Sequence, residues 1–114
     1  MEVAEHTIED VLIVALKGRL DTPVAIGLEK ALNQKADEGT RKLVFNLSKL
    51  TYISSSGLRV FLGIYKRLLN ENGKFGLACV PEQIMEILQL TQFYELMPLF
   101  DTECDAVIDF CRAP

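Results

Sequence analysis

The sequence predicts a single α/β domain: a mixed, mostly parallel sheet of four to five strands packed with four helices, in the order β-β-α-β-α-β-α-β-α. Three observations predict it. Short apolar runs of strand length alternate with longer stretches patterned at helical spacing. The connections between them are short and carry cap or stop residues. The first two strand candidates are separated only by Glu9-Asp10, so they pair antiparallel and make the sheet mixed. No linker, repeat or low-complexity segment interrupts the pattern, so residues 1–114 read as one domain.

Each element has its own signal. Glu2 to Thr7 alternates weakly and reads as an edge strand. Val11-Leu12-Ile13-Val14-Ala15-Leu16 is a continuous apolar run, the pattern of a buried strand. Gly18 follows, then "RLDTP". Thr22 is expected to cap the first helix, with Pro23 at the first helical position, where its missing N–H removes no hydrogen bond. Val24, Leu28, Ala31, Leu32 and Lys35 step at helical spacing, and Gly39 ends that helix. Lys42 to Leu47 is the next strand. A second helix is expected from about Ser55 to Asn70, because Leu58, Phe61, Leu62, Tyr65, Leu68 and Leu69 trace one face. Asn72-Gly73 stops it. "KFGLACV" is a further strand. Pro81 begins a third helix, with Ile84, Ile87 and Leu88 on its inner face. "MPLF" makes a short last strand, and Thr102 caps a final helix through Cys111.

Composition excludes several classes. The chain has 114 residues, 49% hydrophobic and 25% charged, the balance of a globular protein with a real core. Its longest aliphatic run, Val11 to Leu16, is far short of the roughly 20 residues that span a bilayer. No basic segment followed by an apolar one opens the chain, so no signal peptide or membrane insertion is expected, and a cytoplasmic location is. Sixteen acidic against 12 basic residues give a net charge of -4. The nearest basic candidates, Arg41-Lys42 and Lys66-Arg67, are too small to suggest nucleic-acid binding. Cys79, Cys104 and Cys111 form no disulfide framework: the count is odd, and two helical turns, about 10 Å, separate the last two. Buried structural thiols are the expected reading. No CxxC occurs and His6, near the terminus, is the only histidine, so no zinc site is expected, and a Ser-His-Asp triad cannot be assembled without a suitably placed histidine. No phosphate-binding glycine loop and no GxSxG elbow occurs. Neither enzymatic activity nor a cofactor or metal is expected.

One junction asks for more than a fold argument. "YISSSGL" puts Ser54, Ser55 and Ser56 at the start of the second helix. A cap explains one serine, through a hydroxyl that accepts a backbone N–H of the first turn. The same helix start, with its partial positive charge and free N–H groups, also tolerates an anion. A phosphate on a serine here would add roughly -1.5 to -2 charge without unfolding the helix. The helix itself is apolar beyond one stripe. Val60 and Ile64 lie off the main face, so it is either buried on two sides or exposes a patch to a partner.

"LVFNLSKLTYISSSGLRVFLGIYKRLLNENGKFGLACV" resembles the core of a STAS domain of the kind found in bacterial anti-sigma-factor antagonists. "LKGRLDTPVAIGLEKAL" is similar to the family's G-x-[IL]-D and first helix. "VPEQIMEILQLTQFYELMPLFDTECDAV" is similar to its third helix and closing β-α unit. The resemblance implies a protein that binds an anti-sigma factor which is also a serine kinase. Phosphorylation of a serine in a D-S-[SA]-G-L motif releases the complex, a serine phosphatase restores it, and transcription is regulated indirectly. Aligned on Gly57-Leu58, the acceptor falls on Ser55, with Ser54 and Ser56 as alternatives. Asp21 matches the family's early-loop aspartate, which lies beside the acceptor. The implied docking surface comprises Asp21, Thr22, Ser54, Ser55, Ser56, Gly57, Leu58, Val60 and Ile64. Three positions depart from the pattern: Ser54 replaces an Asp, Asn46-Leu47 replaces Asp-Leu near the site, and Thr91-Gln92 replaces a glycine after the third helix. The alternative is a constitutive STAS adaptor subunit without a phospho-switch, for example of a lipid-transport ATPase.

Overall fold

In the computed structural model, which describes residues 1–91 and 95–112, the chain forms β1 (Glu2–Ile8), β2 (Val11–Leu20), α1 (Thr22–Asp37), β3 (Lys42–Ile53), α2 (Ser55–Asn70), β4 (Lys74–Ala78), α3 (Glu82–Gln89), β5 (Leu99–Phe100) and α4 (Glu103–Cys111). The predicted element order is therefore observed. The strands make one five-stranded sheet in the sequential order β1-β2-β3-β4-β5. β1 runs antiparallel to β2, and the remaining pairs are parallel. Gln92, named above with Thr91, lies outside the described residues.

The continuous apolar run of β2 has a plain cause: both faces of the sheet centre are covered. Val14 and Leu16 join the core under α1, α2 and α3, together with Phe45, Phe61 and Phe75. Val11 and Ile13 point the other way, into a smaller core closed by Ala106, Val107 and Phe110 of α4. Residues alternate between faces with period two, so an uninterrupted apolar run serves both. Phe45 stacks on Phe61 with ring centroids 4.6 Å apart and meets Phe75 edge-on at 5.8 Å.

β2 and β3 run further than the sequence predicts, to Leu20 and Ile53 instead of Leu16 and Leu47. Beyond the apolar run only one face is covered. Leu20, Leu50 and Ile53 are buried while Lys17, Arg19, Lys49 and Thr51 are exposed. Arg19 lies over the Tyr52 ring at 4.2 Å. The ladder continues through two register shifts and ends with Leu20 opposite Ile53.

The helix ends follow capping rules, with one correction. The cap of α1 is Asp21, not Thr22: its carboxylate accepts the Val24 N–H at 3.2 Å, and Thr22 is already helical. Asp and Thr both suit a cap, and the extended backbone of Asp21 decides between them. α2 stops in a Schellman arrangement, with Asn72 at φ 63° and the Gly73 N–H donated to Leu68 O at 2.6 Å. A Cβ at residue 73 would collide with the Arg41 carbonyl, so that close approach requires glycine.

The cysteines also differ from expectation. All three are free thiols, but only Cys79 is half-buried, and Cys104 and Cys111 are exposed. α4 is a short helix whose buried face is filled by Ala106, Val107 and Phe110, so Cys104 and Cys111 fall outside it. Burial pushes the Cys79 thiol pKa up.

Candidate functional site

Because β2 and β3 finish level, the first turns of α1 and α2 start side by side. The Ser54 N–H donates to Leu20 O at 2.9 Å, tying the two strand ends together. Asp21 and Ser54 are therefore neighbouring caps. The Thr22 and Ser56 hydroxyls bridge the two helix starts at 3.3 Å. Gly57 sits beneath them. A Cβ there would lie 2.9 Å from side-chain carbons of Leu20 and Ile53, so the first turn of α2 sits directly on the strand ends. The structure thus brings together Asp21, Thr22 and Ser54 to Gly57.

The three serines occupy three environments. Ser54 is the cap, its hydroxyl oxygen accepting the Gly57 N–H at 3.1 Å. Ser56 is half-buried and bonded to Thr22. Ser55 is exposed in the first turn, and its hydroxyl bonds to nothing among the described residues. No acidic residue occupies the first turn of α2, so its partial positive charge is not offset from within the helix.

The remaining residues of the expected surface fall elsewhere. Leu58, Val60 and Ile64 are only 5%, 4% and 3% exposed, so they form no apolar ridge. α2 is buried on two sides. Phe61 faces the sheet, while Val60, Ile64 and Arg67 face α1, where Arg67 bonds the Asn33 side chain at 2.9 Å and Asp37 at 2.5 Å. What α2 shows to solvent is Ser55, Arg59, Gly63 and Lys66, a polar and small-residue face, followed at its C-terminal end by Leu69 and Asn70. Sequence reasoning missed Arg59, although it stands four residues after Ser55 and on the same helical side. It also missed Ile26, which is 67% exposed beside Arg59 in a depression of about 150 Å³ between α1 and α2.

Asn46 is not near the serine turn. Roughly 20 Å of strand lie between them. Its side chain faces α4, where the amide donates to Glu103 Oε2 at 2.6 Å and the amide oxygen accepts the Ser48 N–H at 2.9 Å. Glu103 also meets His6 Nε2 at 3.2 Å. An Asp at residue 46 would set two carboxylates against each other, which is a local reason for asparagine here.

Comparison with known proteins gives a consistent result. The STAS domain family model matches residues 2–106. The chain is 30% identical over 113 residues to the anti-sigma F factor antagonist of Paenibacillus polymyxa, covering 96% of this chain and 92% of that one. Among solved structures, the Thermotoga maritima protein TM1081 superposes with a TM-score of 0.91 at 24% identity, over 96% of this chain and 95% of that one. The anti-sigma factor antagonist SpoIIAA in its unphosphorylated form superposes with a TM-score of 0.74 at 17% identity, over 95% of this chain and 96% of that one. Its phosphorylated form gives 0.75 at 18% identity, over 95% and 98%. These structural likenesses carry the fold.

Proposed function

The chain belongs to the STAS domain family, and from that premise we propose that it is an anti-sigma-factor antagonist switched by phosphorylation of Ser55. The observation that carries this reading is the division of labour among the serines. Ser54 is used as a cap and Ser56 is used in the bridge to Thr22, which leaves Ser55 as the free, exposed hydroxyl. A kinase active site can reach it without breaking a hydrogen bond of the fold. The relative from Paenibacillus is named an antagonist, and SpoIIAA is described in both phosphorylated and unphosphorylated forms, which supports the same assignment.

The partner is an anti-sigma factor that is itself a serine kinase, and a serine phosphatase reverses the modification. The unmodified protein docks through Asp21, Thr22, the Ser54 to Ser56 turn and the outer face of α2 with Arg59. Phosphate on Ser55 stays attached to a helix N-terminus, which accommodates it. Arg59 one turn on can pair with it. The fold is kept while the interface gains roughly -1.5 to -2 charge, and repulsion with desolvation expels the partner. A protein of this kind regulates transcription without touching DNA, catalyses nothing, and works in the cytoplasm.

The test compares Ser55→Asp with Ser55→Ala for binding to the anti-sigma-factor kinase by calorimetry. Ser55→Asp should weaken binding at least tenfold, while Ser55→Ala stays within about twofold of the native protein. Equal affinities for the two variants would sink the switch.

A further inference from the structure

The two faces of the sheet are covered unequally. On one face the core under α1, α2 and α3 extends from Val14 and Phe45 to Leu20 and Ile53 at the strand ends. The other face has only α4, whose Ala106, Val107 and Phe110 cover Val11, Ile13, Val44 and Ala78. α4 begins at Glu103, which bonds Asn46. Beyond Asn46, among the described residues, no helix covers the ends of β2 and β3 on this side. The side chains there include Lys17, Arg19, Lys49 and Tyr52, since Leu16, Leu20, Leu50 and Ile53 point into the opposite core. Small side chains, those of Ala4, Ala15 and Ser48, leave a depression of about 320 Å³ beside Lys17 and Lys49.

This open half is cationic on a chain of net charge -4. Lys17 stands directly opposite Lys49 in the β2–β3 ladder. Like charges placed so are destabilising unless something offsets them. Among the described residues Lys49 has no ion pair, and Arg19 meets only the Tyr52 ring. Lys17 meets Glu2 at a loose 3.8 Å, with both side chains more than half exposed. The outer face of α4 carries the opposite charge. Asp101 just before the helix and Asp105 and Asp109 on it are exposed, and none has an ion pair among the described residues. Arg112, at the far end, is the cation of that surface. Ile108 stands between the aspartates, 55% exposed.

We infer that this face pairs with a second copy of the chain, back to back. A two-fold axis parallel to the sheet and across its strands lays the α4 of each copy on the open half of the other's sheet. The lengths agree. The nine residues of α4 span about 14 Å, and Ala15 to Leu20 span about 16 Å. Asp105 and Asp109 of each copy then face Lys17 and Lys49 of the other, and Ile108 gains the small-residue depression to bury against. The interface is isologous, so every charge match is made twice. α2, which carries Ser55, packs on the opposite face of the sheet, so pairing leaves that serine exposed.

The experiment is sedimentation equilibrium of the full chain at about 50 mM and about 0.5 M salt. The native chain should form a dimer at the lower salt, with a dissociation constant at least tenfold higher at the upper one. Lys17→Glu with Lys49→Glu, and separately Asp105→Lys with Asp109→Lys, should each give monomers. An equimolar mixture of the two double variants should recover a dimer, because each reversed face then meets its opposite. Recovery also shows that both variants fold, and thermal melting checks each alone. A native chain that stays monomeric at the lower salt would overturn the proposal. So would a dimer that both reversals leave intact, or double variants that melt like the native protein and do not pair when mixed.

Discussion

Ser54→Ala removes the oxygen that accepts the Gly57 N–H, and stability should fall by about 1 kcal/mol, roughly 4 °C in melting temperature. Ser55→Ala removes no hydrogen bond described in the fold and should melt with the native protein. Thermal melting of the two variants separates cap from switch. Asn46→Asp would place a second carboxylate against Glu103, whose Oε2 now accepts the amide N–H at 2.6 Å. At low pH one carboxyl of that pair keeps a proton and donates to the other, as the amide does. The shared proton raises the folded-state pKa above the unfolded value near 4, so stability is lost as pH rises past it. Urea midpoints should therefore nearly coincide with native at pH 4 and fall below it at pH 7.5. At this scale the sequence was readable where chemistry leaves one choice. "SSSGL" marked a capped helix start, and Asn72-Gly73 marked a stop. It was ambiguous at "DTP", where Asp21 and Thr22 are both competent caps and backbone geometry chose the aspartate.

α2 is the element on which the site depends, and its two buried sides explain why hydropathy misled. An apolar arc wider than one stripe fits a helix wedged between sheet and neighbour as well as one that offers a patch. The α1 contact decides it, and that contact joins residues distant in sequence, such as Arg67 with Asn33. Ile64→Ala should therefore destabilise the domain by about 2–5 kcal/mol in denaturant unfolding. Arg59→Ala should leave unfolding unchanged and weaken the kinase complex, read by the same calorimetry as Ser55→Asp. The strand extensions were also hidden. Past Leu16 and Leu47 the residues alternate with charged and polar ones, because only one sheet face is covered. Yet those extensions end Leu20 level with Ile53 and so place Asp21 beside Ser54. The fold class, element order and serine turn were legible in the sequence. The bulged ladder that assembles the site depends on strand pairing, which no local pattern records.

At the scale of the whole molecule, the domain is a rigid carrier for a small change of charge. A single phosphate takes the net charge from -4 to about -6. That change sits on the exposed side chain of Ser55 at one helix start, and Ser55 belongs to neither apolar core. Far-UV circular dichroism and melting temperature of the phosphorylated chain should therefore match those of the unmodified one, while partner affinity differs. The most direct measurement is to incubate the chain with the anti-sigma-factor kinase and ATP, locate the phosphate by mass spectrometry, and measure kinase binding before and after. The expected result is one phosphate, on Ser55, with binding weakened at least tenfold after modification. No phosphate on Ser54, Ser55 or Ser56, or a phosphorylated chain that binds as tightly as before, would contradict the account.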